Sequence, residues 1–140
     1  MMRTVVEREL TMKLIVSAER HAPVTARLRY ATDDPFAVHV DFHCGADRPV
    51  HWSFARDLLV EGRFRACGPG DVRVWPGHGV EGGAPVMLLA LSSPCGDALL
   101  EAPAGEVADW LAHTLRMVPR GREGELLDLD GPLAELLALE

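Results

Sequence analysis

The chain has few of the features that would direct it to an oxidising compartment or to a membrane. Its 140 residues include three cysteines, Cys44, Cys67 and Cys95, and no two of them form a CxxC pair. An odd number of widely spaced cysteines is typical of free thiols rather than of a disulfide framework. No apolar run approaches the roughly 20 residues of a membrane span, and charged residues interrupt the N-terminal segment where a signal peptide would have its apolar core. We therefore expect a cytoplasmic protein.

Basic residues are scarce relative to acidic ones. The sequence has 14 Lys and Arg against 21 Asp and Glu, which gives a formal net charge of −7. Such a balance repels phosphate backbones unless the cations gather on one face, so general nucleic-acid binding is disfavoured. With 48% hydrophobic and 25% charged residues the composition is that of an ordinary globular protein. The length fits one domain that spans residues 1–140.

Alternation of apolar and polar residues predicts an antiparallel hairpin in the middle of the chain. Apolar residues occupy every second position between residues 36 and 43 and again between residues 50 and 54. A period of two is typical of strands with one buried face, and the turn between the two runs brings their apolar faces together. We expect Trp52 on the buried face.

A short helix is predicted directly after this hairpin, over residues 55–61. Leu58 and Leu59 lie on one side of it, and the other side carries the charged residues Arg56, Asp57 and Glu61. Gly62 follows, and glycine is the commonest residue to end a helix in the left-handed conformation. We expect Arg56 to face solvent and Gly62 to stop the helix.

The rest of the sequence completes an α+β fold built on a mainly antiparallel sheet, with its helices gathered on one side. The order is ββββα followed by βββαα. The further strands are predicted at residues 5–17, 24–30, 71–76, 86–91 and 97–102, with turns at 21–23 and 33–35 and a loop at 76–85. A helix is predicted at residues 105–118 with Val107, Trp110, Leu111, Thr114 and Val118 on one stripe, and a last helix begins at Pro132 within a C-terminal tail of about residues 119–140.

The polar face of the central hairpin holds the best candidate for an enzymatic site. His39, Asp41 and His43 share one parity, and His51 falls on the same face in any register that keeps the apolar faces together. Imidazoles and a carboxylate are suitable ligands for zinc or iron. A metal-dependent enzyme on these four residues is one hypothesis, although histidines on a solvent-facing strand need no special explanation.

Other catalytic motifs are missing. Ser92 and Ser93 lie in LSSPCG, which lacks the glycines of a nucleophile elbow, and we interpret this segment as a turn. The glycine-rich stretch GHGVEGG has neither the lysine nor the following helix of a phosphate-binding loop. We assign no catalytic, cofactor-binding or metal-binding residue and expect no cofactor.

One group of cations lies close in sequence to aromatic residues. Arg56, Arg63, Arg65 and Arg73 are interspersed with Trp52, Phe64 and Trp75. Proteins that bind single strands combine cationic grooves with exposed aromatic rings, so a single-stranded nucleic-acid module is an alternative hypothesis. Because only 6% of the residues are aromatic, most of these rings are needed for the core.

Leucines are concentrated at the C-terminus. They are Leu126, Leu127, Leu129, Leu133, Leu136, Leu137 and Leu139, and they alternate with a row of acidic residues. A single helix can bury one stripe, so leucines that fall off it, such as Leu139, indicate a contact with a subunit or partner.

Four blocks of the sequence together resemble the SsgA-like family of sporulation and cell-division regulators. The blocks are RYATDDPFAVHVDFH, WSFARDLLVEG, GPGDVRVWP and LSSPCGDALLEAP. They occur in the expected order across about residues 8–118, and an element of the family's tail is matched at Leu127 to Asp130. The loop at 76–85 and the linker at 119–125 match poorly.

This resemblance implies a non-enzymatic cytoplasmic protein that localises to the division septum and helps recruit or organise FtsZ. It also implies a whirly-like fold, a trimeric assembly and contacts with other SsgA-like proteins. The family has no known cofactor and no catalytic motif to transfer. The acidic charge of this chain argues against the nucleic-acid binding of whirly proteins, so that similarity implies shared architecture only.

Overall fold

Seven strands and two α-helices make up the part of the chain that the computed structural model describes, which is residues 3–45, 48–68, 70–79 and 83–125. The strands are β1 (Val5–Ile15), β2 (His21–Ala31), β3 (Ala37–His43), β4 (Val50–Ala55), β5 (Val72–His78), β6 (Pro85–Ser93) and β7 (Gly96–Pro103). The helices are α1 (Arg56–Gly62) and α2 (Ala104–Met117), and a 3₁₀ turn follows at Glu123–Glu125. The predicted last helix and the leucine-rich tail lie outside the described residues.

All seven strands belong to one antiparallel sheet in the order β4-β3-β2-β1-β7-β6-β5. β1 pairs with β2 along its whole length but with β7 only near its end, at Lys13 and Leu14. The two edge strands β4 and β5 both contact α1, so the sheet curls until its edges meet the same helix. The predicted α+β class with helices on one side is confirmed.

The sheet has an inner face that packs against the helices and an outer face that does not. The inner face carries the alternate apolar residues predicted from the period of two, among them Val38, Val40 and Phe42 on β3. Trp52 on β4 also lies on the inner face, where it is half-buried and packs against the core. Within the described ranges, no helix combines the length and the apolar character that a membrane crossing requires.

Helix α2 is the main cover of the inner face. The five residues predicted to share its stripe are all buried, and they are Val107, Trp110, Leu111, Thr114 and Val118. The Trp110 indole N–H donates a 3.1 Å hydrogen bond to the Val6 carbonyl of β1, which satisfies a polar group that burial would otherwise leave unpaired. The helix therefore lies where its apolar period predicted.

Strand boundaries differ from the sequence prediction by up to three residues, and two of the differences turn a predicted turn or loop into strand. β2 begins at His21 rather than Val24, because the predicted turn at residues 21–23 continues the ladder with β1. β5 extends through Pro76 to His78, where a loop was predicted. Proline is tolerated there because β5 is an edge strand: Val74 exchanges backbone hydrogen bonds with Cys67 on the free side, and Pro76, two residues on, faces the same side.

Helix α1 ends at Gly62, as predicted, although Gly62 is not left-handed and the following Arg63 is also helical in conformation. The small size of Gly62 has a separate role. A Cβ atom on Gly62 would lie 2.8 Å from the Cβ of Val74, which is fully buried on β5. Gly62 therefore permits the close approach of α1 to the edge strand.

Arg56 was predicted to face solvent, and this prediction is wrong. The side chain is 1% exposed and reaches between α1, α2 and the 3₁₀ turn. Its guanidinium donates to the Thr114 carbonyl (3.1 Å) and to a Glu123 carboxylate oxygen (3.0 Å), and it stacks 4.8 Å from the centre of the Tyr30 ring. The Nε atom has no partner in the described part of the chain. Glu123, 67 residues away in sequence, supplies the counter-charge that no local pattern predicts.

The electrostatics of this cluster follow from burial and hydrogen bonding. Burial would raise the pKa of Glu123, but hydrogen bonds from its own N–H, from Arg56 and from the Gly121 N–H outweigh that effect and hold the pKa below its usual value. Burial raises the pKa of Tyr30 to about 12, although the Arg56 charge opposes the shift. The Tyr30 hydroxyl donates to the Pro35 carbonyl at 2.8 Å. At neutral pH the cluster contains an ionised pair and a neutral phenol.

Gly62→Ala is expected to destabilise the chain by about 1–3 kcal/mol, because the added methyl group overpacks Val74 by more than the gain in helix propensity offsets. Thermal unfolding of the two proteins measures the difference. Gly105→Ala in α2 is the matched control, because nothing lies within 4 Å of its added Cβ. Equal stabilities for the two variants would contradict the close packing of Gly62.

Glu123→Gln is expected to lower the free energy of unfolding at pH 7 by about 3–5 kcal/mol, because it leaves the Arg56 charge buried without its counter-ion. Because the pKa of Glu123 is lower in the folded chain than in the unfolded chain, its ionisation stabilises the fold at pH values above the unfolded pKa of about 4.3. This stabilisation is lost as the pH falls through the folded-state pKa. The difference between variant and parent should therefore narrow in acid. Urea denaturation of the variant and the parent at pH 7 and in acid measures the two differences in the free energy of unfolding.

Glu125→Gln is the control for this experiment. Glu125 forms an exposed ion pair with Arg122, and such pairs contribute little to stability. A loss as large in Glu125→Gln as in Glu123→Gln, or a Glu123→Gln loss that does not depend on pH, would contradict the role given to the buried pair.

Candidate docking surface

The histidine face predicted for the central hairpin exists, with one residue left out. His39, Asp41 and His51 lie together on the outer face, where Asp41 pairs with His51 in the β3–β4 ladder. His39 Nδ1 is 3.3 Å from His51 Nε2, and His51 Nδ1 is 2.7 Å from Asp41 Oδ1. His43 lies at the exposed end of β3 opposite Thr25 and has no hydrogen bond to the others.

A catalytic metal centre of three or four ligands does not form on this face. Asp34, from the turn between β2 and β3, lies 2.8 Å from His39 Nε2, and Asp41 lies beside His51 Nδ1, so each of the two rings has only one nitrogen that does not face a carboxylate. In the described residues, no three His, Cys, Asp or Glu side chains converge to hold a metal ion. The hypothesis of a metal-dependent enzyme on His39, Asp41, His43 and His51 therefore has no geometric support.

The two serines of LSSPCG are the last residues of strand β6, and the hairpin turn predicted for this segment is formed by Pro94 and Cys95. The Ser92 hydroxyl donates to Asp97 at 2.7 Å, and the Ser93 hydroxyl donates to the Gly96 carbonyl and accepts from the Cys95 N–H. These bonds close the β6–β7 connection.

The cations and rings that suggested nucleic-acid binding are separated by the fold. Arg56 is in the interior and Trp52 faces the core, so neither can contribute to a surface. Arg65 forms an ion pair with Glu61. Two cation–aromatic pairs remain at the surface, each with one exposed and one half-buried member, namely Arg63 over Phe64 at 4.8 Å and Arg73 over Trp75 at 5.9 Å. The structure thus does not assemble the predicted footprint as one cationic groove.

Phe64 is the most exposed large hydrophobic residue of the described chain, with 71% of its surface accessible. It lies two residues after the end of α1, where its N–H and the Arg63 side chain donate hydrogen bonds to the carbonyls of Glu61 and Val60. These bonds satisfy two carbonyl groups at the end of the helix, and the Phe64 ring is left in solvent. An aromatic ring held in solvent is available for contact with another molecule.

Phe64 borders a mostly apolar groove of about 690 Å³, which we call the Phe64 groove. Its walls come from the end of β5, the start of β6 and the start of α2. Small residues give it depth, because Gly77, Ala104, Gly105 and Ala108 leave the space that larger side chains would fill. Its ionisable lining residues are Arg63 and His78, so the groove can bind an apolar side chain but has no acid–base pair for catalysis.

Sequence reasoning identified Phe64 as a candidate and did not identify the groove. The lining residues come from four segments that are distant in sequence, and each is unremarkable in its own segment. The exposure of Phe64 could have been predicted from the sequence, because Phe64 follows the predicted end of a helix and belongs to no apolar period. No other feature of the groove could have been.

A second depression, of about 630 Å³, lies on the outer face of β5, β6 and β7. Apolar residues that no described element covers line this part of the sheet and are half-buried. They are Ile15, Trp75, Leu88, Ala90 and Leu99. The outer face of β1 to β4 is polar by contrast, and includes the Glu9–Arg27 ion pair at 3.4 Å. One half of the outer face therefore suits a protein contact.

Comparison with known proteins agrees with the sequence resemblance over most of the chain. The family model described as Streptomyces sporulation and cell division protein, SsgA, matches residues 24–123. A relative from Streptomyces coelicolor, named sporulation-specific cell division protein SsgB, is 52% identical over 137 residues that cover 98% of each chain. A relative of the same name from Thermobifida fusca is 42% identical over 93% of each chain.

Solved structures match the fold as well. A structure reported with mutations in SsgB that correlate to longitudinal cell division in Streptomyces coelicolor superposes with a TM-score of 0.87 at 51% identity, covering 91% of this chain and 98% of that one. The crystal structure of an SsgA-like sporulation-specific cell division protein from Thermobifida fusca has a TM-score of 0.82 at 39% identity, covering 98% and 96%. The chain therefore belongs to the SsgA family of sporulation and cell-division proteins.

Proposed function

We propose that this protein is a non-enzymatic adaptor that helps recruit or organise FtsZ at division sites during sporulation septation. The observation that carries the proposal is the similarity, over 98% of both chains, to a sporulation-specific cell division protein. The adaptor acts in the cytoplasm at the septum. Its chemistry is recognition of another protein rather than turnover of a small molecule, in keeping with an apolar groove and with no metal-binding cluster of three or more ligands in the described residues.

The Phe64 groove is the proposed contact with FtsZ. Protein interfaces concentrate their binding energy in a few aromatic and arginine residues next to pockets. Arg63 and Phe64 stack on each other at the rim of such a pocket, and the ring is already exposed in the unbound chain. An apolar partner side chain would fill the groove between them and α2.

Phe64→Ser is expected to reduce binding to FtsZ polymers by more than about tenfold, because it removes the aromatic anchor. Co-sedimentation of the purified full chain with FtsZ polymers measures the binding. Because the Phe64 side chain lies in solvent, the substitution should leave the melting temperature unchanged.

Phe36→Ser is the matched control, since Phe36 is 51% exposed in the turn between β2 and β3 and undergoes the same chemical change. It should bind as the parent does. If the parent chain fails to co-sediment, the proposed function is wrong. Equal binding by both variants would contradict the groove while leaving the function intact.

The assembly we propose is a homotrimer that uses the apolar part of the outer sheet face. Leu99 on β7 and Trp75 on the edge strand β5 both belong to this patch, and covering it with a second copy removes apolar surface from water. The polar half of the same face would stay in solvent.

Light scattering after size exclusion is expected to give about 46 kDa, the mass of three 15.3 kDa chains. Leu99→Glu should shift the mass toward one chain, because it places a charge in the contact. Thr25→Glu on the polar half is the control and should leave the mass unchanged. A monomeric parent chain, or dissociation by Thr25→Glu alone, would count against this assembly.

A further inference from the structure

Two imidazole rings face each other on the outer side of the β3–β4 hairpin. His39 and His51 are diagonal neighbours in the ladder, since His39 pairs with Ser53 and His51 with Asp41. Their planes differ by 22° and their centres are 5.3 Å apart. The nitrogens at the facing edges, His39 Nδ1 and His51 Nε2, are separated by 3.3 Å. We call this arrangement the histidine pair.

A carboxylate lies behind each ring. Asp34 Oδ2 is 2.8 Å from His39 Nε2, and Asp41 Oδ1 is 2.7 Å from His51 Nδ1. An ionised carboxylate can accept a hydrogen bond but cannot donate one, so each neutral imidazole places its single N–H there. Both facing nitrogens then carry lone pairs. Two lone pairs 3.3 Å apart repel each other unless a cation lies between them.

The separation of the facing nitrogens fits a metal ion. Zinc–nitrogen bonds are about 2.0–2.1 Å long, and two of them at a tetrahedral angle place their nitrogens roughly 3.3–3.4 Å apart. A carboxylate that orients the far nitrogen is also the usual support of a metal-binding histidine. The side chains of His39 and His51 are 20% and 46% exposed, so an ion can reach them from solvent.

We propose that His39 Nδ1 and His51 Nε2 form a surface site for a divalent transition-metal ion of the zinc class, with water in the remaining positions. Imidazole nitrogen suits Zn²⁺, Ni²⁺ and Cu²⁺. The site has two protein ligands, which predicts a modest, exchangeable affinity rather than a permanent cofactor. A bound ion would connect the edge strand β4 to β3. The proposal does not depend on the Phe64 groove or on FtsZ.

Titration of the untagged full chain with ZnCl₂ by calorimetry, together with ¹⁵N spectra of the imidazole rings, tests the site. The expected result is one ion per chain with micromolar affinity and shifts of His39 Nδ1 and His51 Nε2. His39→Gln and His51→Gln should each weaken binding by at least about tenfold, and Asp41→Asn by about 10- to 100-fold. Circular dichroism checks that each variant is folded.

His43→Gln is the matched control, because His43 lies on the same strand face outside the histidine pair and should be dispensable. Binding weaker than about 1 mM, or equal losses in His43→Gln and His39→Gln, would overturn the proposal. Ring shifts elsewhere in the chain without shifts at the two facing nitrogens would overturn it as well.

Discussion

The buried charge of Arg56 constrains how the rest of the described chain packs. Removing a guanidinium from water costs several kcal/mol unless a counter-ion and hydrogen-bond acceptors meet it. The Arg56 guanidinium is bound by the Glu123 carboxylate, the Thr114 carbonyl and the face of the Tyr30 ring. These three groups come from separate parts of the sequence. These partners can satisfy Arg56 together when α1, α2 and the 3₁₀ turn lie in their observed arrangement. The cluster therefore selects one packing of the helices against the sheet.

The curl of the sheet explains why one side of the chain is available for recognition. Both edge strands contact α1, so the inner face of the sheet is buried in the core and beneath the helices. Function must then reside on the outer face or at the ends of elements. The Phe64 groove lies at such an end, where α1 stops beside the β5–β6 edge and the start of α2. An exposed aromatic ring at the rim of a groove is in keeping with the proposed adaptor role.

Periodic patterns predicted the fold well because burial repeats along each element. The five residues predicted to share the stripe of α2 and its C-cap, from Val107 to Val118, are all buried, since one helix packed on a sheet buries one side. Arg56 was misjudged because its environment is set by Glu123, which is far away in sequence. Local chemistry favours an exposed arginine, and tertiary packing overrides that preference. The close packing of Gly62 against β5 was not predicted for the same reason, although the helix does end at Gly62. The groove beside Phe64 could not be predicted for the same reason.

The free edge of β5 has a consequence for the way in which a partner can attach. Many recognition domains bind an extended peptide by β-augmentation, in which the peptide adds a strand through main-chain hydrogen bonds. Here Cys67 already occupies the outward backbone groups of Val74, and Pro76 has no N–H to offer. The edge of β5 therefore cannot pair with an added strand. The same feature prevents two copies of the chain from polymerising edge to edge through β5. Whatever docks beside it must be recognised by its side chains, as a helix or a folded loop would be.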